Sequence, residues 1–204
     1  MNMKKLDSTL KNMVIVLTGT AILTGGVLAI ANSVTKTAIA NVQEKQLATG
    51  IQSVIGIDSL TIASPKIVKQ VFDGKEYEFV IHSALNAAGT EVATAVETTT
   101  QGFGGDLNVL VGFDNNGRIT GYTILKHSET PGLGAKADTW FQKGEKGNVI
   151  GKYAGNLVTN KDEAINDSLK VNAITASTIT SRAFLKAVNQ AYLAYKTPKV
   201  YKIR

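Results

Sequence analysis

The sequence predicts an α+β protein, with an N-terminal transmembrane helix followed by an extracytoplasmic domain built on an antiparallel sheet flanked by helices. Three observations carry this reading. Residues 12–35 contain no charged side chain. Two runs rich in β-branched and apolar residues flank the turn sequence "DNNG" between Leu107 and Leu125. The segment "TSRAFLKAVNQAYLAY", Thr180 to Tyr195, repeats its apolar residues at intervals of three and four.

The first element is the charge-free run. "MVIVLTGTAILTGGVLAIA" (Met13 to Ala31) is nearly all apolar or small, about the length that crosses a hydrocarbon core of roughly 30 Å. Lys4, Lys5 and Lys11 precede it and Lys36 stands close behind. That imbalance places residues 1–11 in the cytoplasm, residues 12–35 in the bilayer as a single pass, and the rest outside. A cleaved signal peptide is the alternative, because "AIANS" has the small residues that a signal peptidase accepts. The apolar run exceeds an ordinary signal-peptide core, which favours an anchor. Gly19, Gly25 and Gly26 could form a face against another membrane helix.

Residues 36–94 read as a helix and strand region. Thr37 to Ile55 is expected as an exposed helix, with Ala38, Val42, Ile51, Val54 and Ile55 forming a partial apolar stripe. After Pro65 the period changes to alternation. Asp73-Gly74 signals a turn, and "YEFVIHSAL" (Tyr77 to Leu85) a strand. "LNVLVGF" (Leu107 to Phe113) and "RITGYTIL" (Arg118 to Leu125) form a hairpin whose Asn116-Gly117 pair suits positive φ. Gly102, Gly104 and Gly105 punctuate its approach, and "TPGLG" (Thr130 to Gly134) its exit. In the last segment Ala183, Phe184, Ala187, Val188, Ala191 and Tyr192 make an amphipathic helix, ended by Pro198, with residues 197–204 as a basic tail.

Composition excludes several chemistries. The 204 residues include no cysteine, so disulfides, thiolate metal sites, iron–sulfur clusters and thiol catalysis are out. The two histidines, His82 and His127, have no ligand spacing, so no metal site is expected. The net charge of +6 is dispersed, without a basic run interleaved with aromatics, which argues against nucleic acid as a partner.

Two motifs remain. "TASTITS", Thr175 to Ser181, holds five hydroxyls in seven residues and no acid. Thr178 falls at the N-terminal edge of the predicted helix, where unpartnered N–H groups and the helix dipole favour a phosphate. The plainer reading is one N-cap hydroxyl, Thr178 or Thr180, in a polar loop. "HSETPGLGAK", His127 to Lys136, leaves the hairpin through a turn fixed by Pro131 and two glycines, either as an ordinary surface turn or as a place where backbone approaches a ligand.

Together these motifs resemble the FMN-binding domain of the membrane electron-transport subunits called RnfG and NqrC. In that family H-x-E-T-P-G-L-G follows a strand, and S-G-A-T-x-T-S precedes a helix and carries FMN bonded through its phosphate to the threonine. Here the turn is complete, as His127, Glu129, Thr130, Pro131, Gly132, Leu133 and Gly134. Thr178, Thr180 and Ser181 match the attachment segment. Thr175, Ala176 and Ser177 stand where serine, glycine and alanine are usual, and Asn172 where an aspartate is common.

The resemblance implies an FMN-binding domain over residues 95–196. It implies covalent FMN on Thr178 as a phosphoester, with Ser177, Thr175, Thr180 and Ser181 around the phosphate. His127, Glu129, Thr130, Gly132, Leu133 and Gly134 would line the flavin. The chain is then a flavoprotein, and in that chemical sense a phosphoprotein, acting as one relay in an ion-translocating ferredoxin:NAD complex. It has no catalytic acid or base of its own and is not an enzyme alone. Its partners would be the other membrane subunits, the lipid bilayer and a flavin transferase. Two alternatives stay open: the corresponding subunit of the sodium-translocating NADH:quinone oxidoreductase, and a flavin-free membrane-anchored binding module.

Overall fold

The computed structural model describes residues 9–56, 61–72 and 74–196, apart from the side chains of residues 37, 38, 40 and 41. Lys4, Lys5, Asp73, Pro198 and the 197–204 tail lie outside the described residues, as does the side chain of Ala38. The described residues form two compact units, which divide between Lys45 and Gln46.

The first unit is helical. Helix α1 runs Leu10–Ile55 without a break, and its stretch Leu10–Lys36 is long and apolar enough to cross a membrane. The Thr20, Thr24 and Thr35 hydroxyls each donate to a carbonyl one turn back, at 2.8–2.9 Å. No polar hydrogen of these side chains then needs water, the condition a bilayer interior imposes.

The second unit begins with the last turns of α1 and contains a six-stranded antiparallel sheet. Its strands are β1 (Thr61–Ile62), β2 (Lys66–Phe72), β3 (Lys75–Leu85), β4 (Glu91–Gln101), β5 (Asp106–Asp114) and β6 (Ile119–Lys126). The order is β1-β3-β4-β5-β6, with β2 also paired to β3. Short helix α2 (Ala137–Trp140), a two-residue parallel pair β7 (Val158–Thr159) and β8 (Lys170–Val171), and α3 (Thr178–Lys196) complete it. The protein is therefore α+β, an apolar N-terminal helix followed by a sheet with helices.

Alternation along the strands gives the sheet two apolar faces. On one, Phe79, Ile81, Val96, Val109, Val111 and Phe113 pack with the stripe of α3 that the periodicity predicts. On the other, Ala84, Ala93, Ala95 and Leu110 receive Ile51, Val54 and Ile55 from the end of α1. The expectation of an exposed helix over Thr37 to Ile55 is corrected at its C-terminal end, where Val54 is 1% exposed. Ile51, Val54 and Ile55 of the stripe contact the sheet, while Val42 stays exposed. Gly112 and Gly121 are register partners beneath Val54, and Thr120 Oγ1 donates to the Val54 carbonyl at 2.6 Å.

The hairpin forms as expected, with one correction. Gly117 has φ +78° while Asn116 is not at positive φ. A carbonyl–amide bond from Gly117 to Asp114 closes the turn, and the Asp114 carboxylate accepts the N–H groups of Asn116 and Arg118. A single left-handed glycine is enough. The division drawn between residues 94 and 95 falls inside β4, and the sheet runs across it.

Three contacts fix α3 where it matters for the site. Thr100 Oγ1 on β4 donates to the Ala183 carbonyl at 3.0 Å. Phe184 stacks on Phe141 at 4.2 Å and meets Tyr122 edge-on at 4.7 Å. The Tyr122 hydroxyl donates to the Ala137 carbonyl and accepts the Phe141 N–H, and burial raises its pKa well above the ordinary phenol range.

Candidate functional site

Three segments far apart in sequence converge on one cleft. The first is the glycine loop after β4, closed by a bond from Gly102 N–H to the Gly105 carbonyl at 2.8 Å. The second is the turn after β6, in which the Thr130 carbonyl accepts the N–H groups of Leu133 and Ala135. The third is the start of α3. Together they enclose a volume of about 390 Å³ lined by Phe103, Glu129, Thr130, Leu133, Gly134, Ala176, Ser177, Thr178, Ile179 and Thr180.

The joint between the segments is Glu129, 5% exposed. Its Oε1 accepts the N–H groups of Phe103 at 2.8 Å and Gly104 at 3.2 Å, and its Oε2 accepts the Thr180 hydroxyl at 2.7 Å. A Cβ on Gly102 or Gly134 would collide with this carboxylate. Both glycines are thus there for space. The hydroxyl-rich stretch holds no acid, yet the fold carries one into its midst.

The α3 wall explains the hydroxyl cluster in part. Ser181, 0% exposed, donates to the Ser177 carbonyl and accepts the Ile174 N–H, both at 2.9 Å. It is committed to holding the turn. Thr180 is committed to Glu129. Ser177 and Thr178 are left facing the cleft, and the N–H groups of Thr178, Ile179 and Thr180 have no backbone partner among the described residues. That is the ordinary condition of a helix start, where an anion is welcome. The Thr180 and Ser181 hydroxyls, which the resemblance places around a phosphate, are thus both bonded within the protein.

Ala176 is the one non-glycine residue at positive φ among the described residues, at +61°. The strain lies where the attachment pattern has glycine, and it turns the chain sharply into α3. Asn172 braces the approach: its side chain donates to the Lys146 carbonyl at 2.9 Å, and its own carbonyl accepts Trp140 Nε1 at 2.8 Å.

Of the residues singled out in the sequence, Glu129, Thr130, Leu133, Gly134, Ser177, Thr178 and Thr180 line the cleft. His127, Gly132, Thr175 and Ser181 do not. His127 sits at the base of the turn, where Nδ1 accepts the Glu129 N–H at 3.1 Å and Nε2 lies 3.5 Å from Asp138. Gly132 supplies the turn's positive φ, +75°. Thr175 points to solvent. Sequence reasoning missed Phe103, Ala176 and Ile179. Phe103 is 67% and Ile179 54% exposed, and with Leu133 they make the mouth apolar. An exposed aromatic inside a glycine-rich loop was the available signal for the first.

Comparison with known proteins agrees with this geometry. A family model described as FMN-binding domain matches residues 102–193, which include all three walls. The G subunit of the ion-translocating oxidoreductase complex of Aliivibrio fischeri is 30% identical over 196 residues, covering 93% of this chain and 92% of that protein. Its counterpart in Yersinia pestis is 31% identical over 180 residues, 84% of this chain and 83% of its own. The G subunit of the Na(+)-translocating ferredoxin:NAD(+) oxidoreductase complex of Acetobacterium woodii is 37% identical over 134 residues, 64% of this chain and 62% of its own. With likeness running through nearly the whole of both chains in the first of these, the chain belongs to the family of G subunits of ion-translocating oxidoreductase complexes and contains its FMN-binding domain.

Proposed function

We propose that this chain is an electron-transfer subunit of a membrane-bound, ion-translocating oxidoreductase complex of the ferredoxin:NAD type, and that it carries FMN through a phosphoester to Thr178. The observation that carries the reading is the position of Thr178, at the start of α3 and on the wall of the cleft.

The residues present fit that group. About 390 Å³ lies in the roughly 300–1,000 Å³ range of small-molecule sites. The cleft pairs an apolar mouth with a helix start, the pairing that a flat aromatic ring joined to a phosphate requires. Thr178 would hold the phosphate covalently, with Ser177 and the first N–H groups of α3 solvating its remaining charge. Leu133 and Phe103 would offer apolar surface to the ring system, and Thr130 a polar contact. Bound there, the flavin supplies reversible electron uptake, and the chain supplies position and electrostatics. In attachment from FAD by a flavin transferase, the Thr178 Oγ–phosphorus bond forms as the pyrophosphate bond breaks. AMP leaves and the hydroxyl proton is lost.

The names of the relatives support other subunits of such a complex as partners, and favour the ferredoxin:NAD type over the NADH:quinone type. Helix α1 supports a single pass through the bacterial cytoplasmic membrane, with the domain outside by the lysine imbalance. A tether suits that side, where lost flavin is not replaced.

Coexpression with a flavin transferase tests the reading. The chain should gain the mass of one FMN residue on the peptide containing Thr178, and Thr178→Val should abolish the adduct. Thr175→Val is the cleaner control, since Thr180→Val also breaks the bond to Glu129. A colourless wild-type chain beside an active transferase would leave the flavin-free binding module as the better account.

A further inference from the structure

Glu129 belongs to the turn that the family resemblance assigns to the flavin, and its side chain is held by other parts of the protein. Three donors reach it, from residues 26, 25 and 51 positions away, and they occupy both oxygens. Two of these donors are backbone N–H groups on one oxygen and the third is a hydroxyl on the other. None of the ion pairs formed by the described residues includes it. Two glycines leave room for it, and it borders the cleft.

We infer that Glu129 is a positioning residue with a second, electrostatic role: it clasps the glycine loop and α3 to the turn, and its unpaired negative charge sets the redox potential of the group held in the cleft. The inference rests on the proposed function only for the presence of flavin. A fixed negative charge in a poorly solvated site disfavours added electrons nearby, and the effect is larger there than in water. The three donors fix the charge in place, so it cannot swing away to solvent. The donors take three of the roughly four lone-pair sites of the carboxylate, so most of its hydrogen-bonding capacity is spent inside the protein.

Two variants separate the roles. In E129Q the amide oxygen can still accept from Phe103 and Gly104, and its nitrogen can donate to Thr180 Oγ1, while the charge is gone. In E129D the charge stays and the arm is one methylene too short. The measurements are the midpoint potential of the flavin-loaded full chain in detergent, and hydrogen exchange at the Phe103 and Gly104 amides in the flavin-free chain. E129Q should raise the potential and keep those amides protected. E129D should lose the protection and, with its charge released, move the potential in the same direction as E129Q but by less.

An unmoved potential in E129Q overturns the electrostatic role, and unmoved exchange in E129D overturns the clasp. Should E129Q fail to fold, E129D decides alone: exchange at the Phe103 and Gly104 amides that stays at the wild-type rate refutes the inference. A wild-type chain that never takes up flavin refutes the proposed function instead, and the exchange measurement still judges the clasp.

Discussion

Replacing Gly121 by alanine should lift the end of α1 from the sheet. A Cβ at Gly121 would lie 2.8 Å from Val54 Cα and 2.9 Å from the Val54 carbonyl oxygen. To reach the roughly 3.5 Å of a favourable carbon contact, the helix backbone must retreat by about 0.7 Å. Overpacking of this kind costs about 1–3 kcal/mol. The retreat also strains the bond from Thr120 Oγ1 to the Val54 carbonyl, which contributes about 0.5–1.5 kcal/mol. Together the loss is about 2–4 kcal/mol, a fall in melting temperature of roughly 4–16 °C for a chain of this size. Near-ultraviolet circular dichroism of the full chain in detergent is the right assay, because it follows Tyr122 and Trp140, whereas the far-ultraviolet signal is dominated by α1. The collision is with backbone, so Val54→Ala should not rescue Gly121→Ala. A variant melting within about 2 °C of wild type, or rescued by Val54→Ala, would refute the seating of this helix.

Two further expectations concern the site and the sheet. Ala176→Gly should relieve the left-handed strain at residue 176, raise stability by about 0.5–1 kcal/mol after allowing for the freer unfolded chain, and leave the proposed FMN attachment to Thr178 unaffected; a lower melting temperature would count against the strain. Burial holds the pKa of His82 below the ordinary imidazole value, so below about pH 6.5 the unfolded chain takes up a proton that the folded chain resists, and stability falls with pH. His82→Leu should flatten that slope between about pH 6.5 and 5 in chemical denaturation, and an unchanged slope would remove His82 as its source.

The hairpin and α3 were legible in the sequence because each rests on local chemistry, one turn glycine and one helical stripe. The Thr130–Gly134 turn was legible because its proline and glycines leave little conformational choice. Strand β4 went unread, although it lies inside the sheet. Its "EVATAVETTTQ" carries glutamates and several hydroxyl or small residues where a central strand would ordinarily be more apolar. Its burial comes from α3 on one face and α1 on the other, a tertiary fact. The exposed reading of Thr37 to Ile55 failed at its last turns for the same reason, since a partial stripe does not say what covers it. At the site, the hydroxyl cluster pointed to Thr178, but no local rule tells which hydroxyls turn inward. That division is made by Glu129 and by the Ile174 N–H, which claim Thr180 and Ser181.

The clasp at Glu129 also bears on when the protein can be matured. Its partners lie 26 and 51 residues away in opposite directions along the chain, and the Thr100 to Ala183 bond that steadies α3 spans 83. Such distant pairings form after local structure does. A chain still being threaded out of the ribosome or across a membrane shows the Thr178 stretch as one more hydroxyl-rich segment, without the walls around it. Were the proposed flavin bond to Thr178 made only in the assembled cleft, the attaching enzyme would pass over unfinished or misfolded copies, and the bond would be a lasting mark that the copy bearing it had folded.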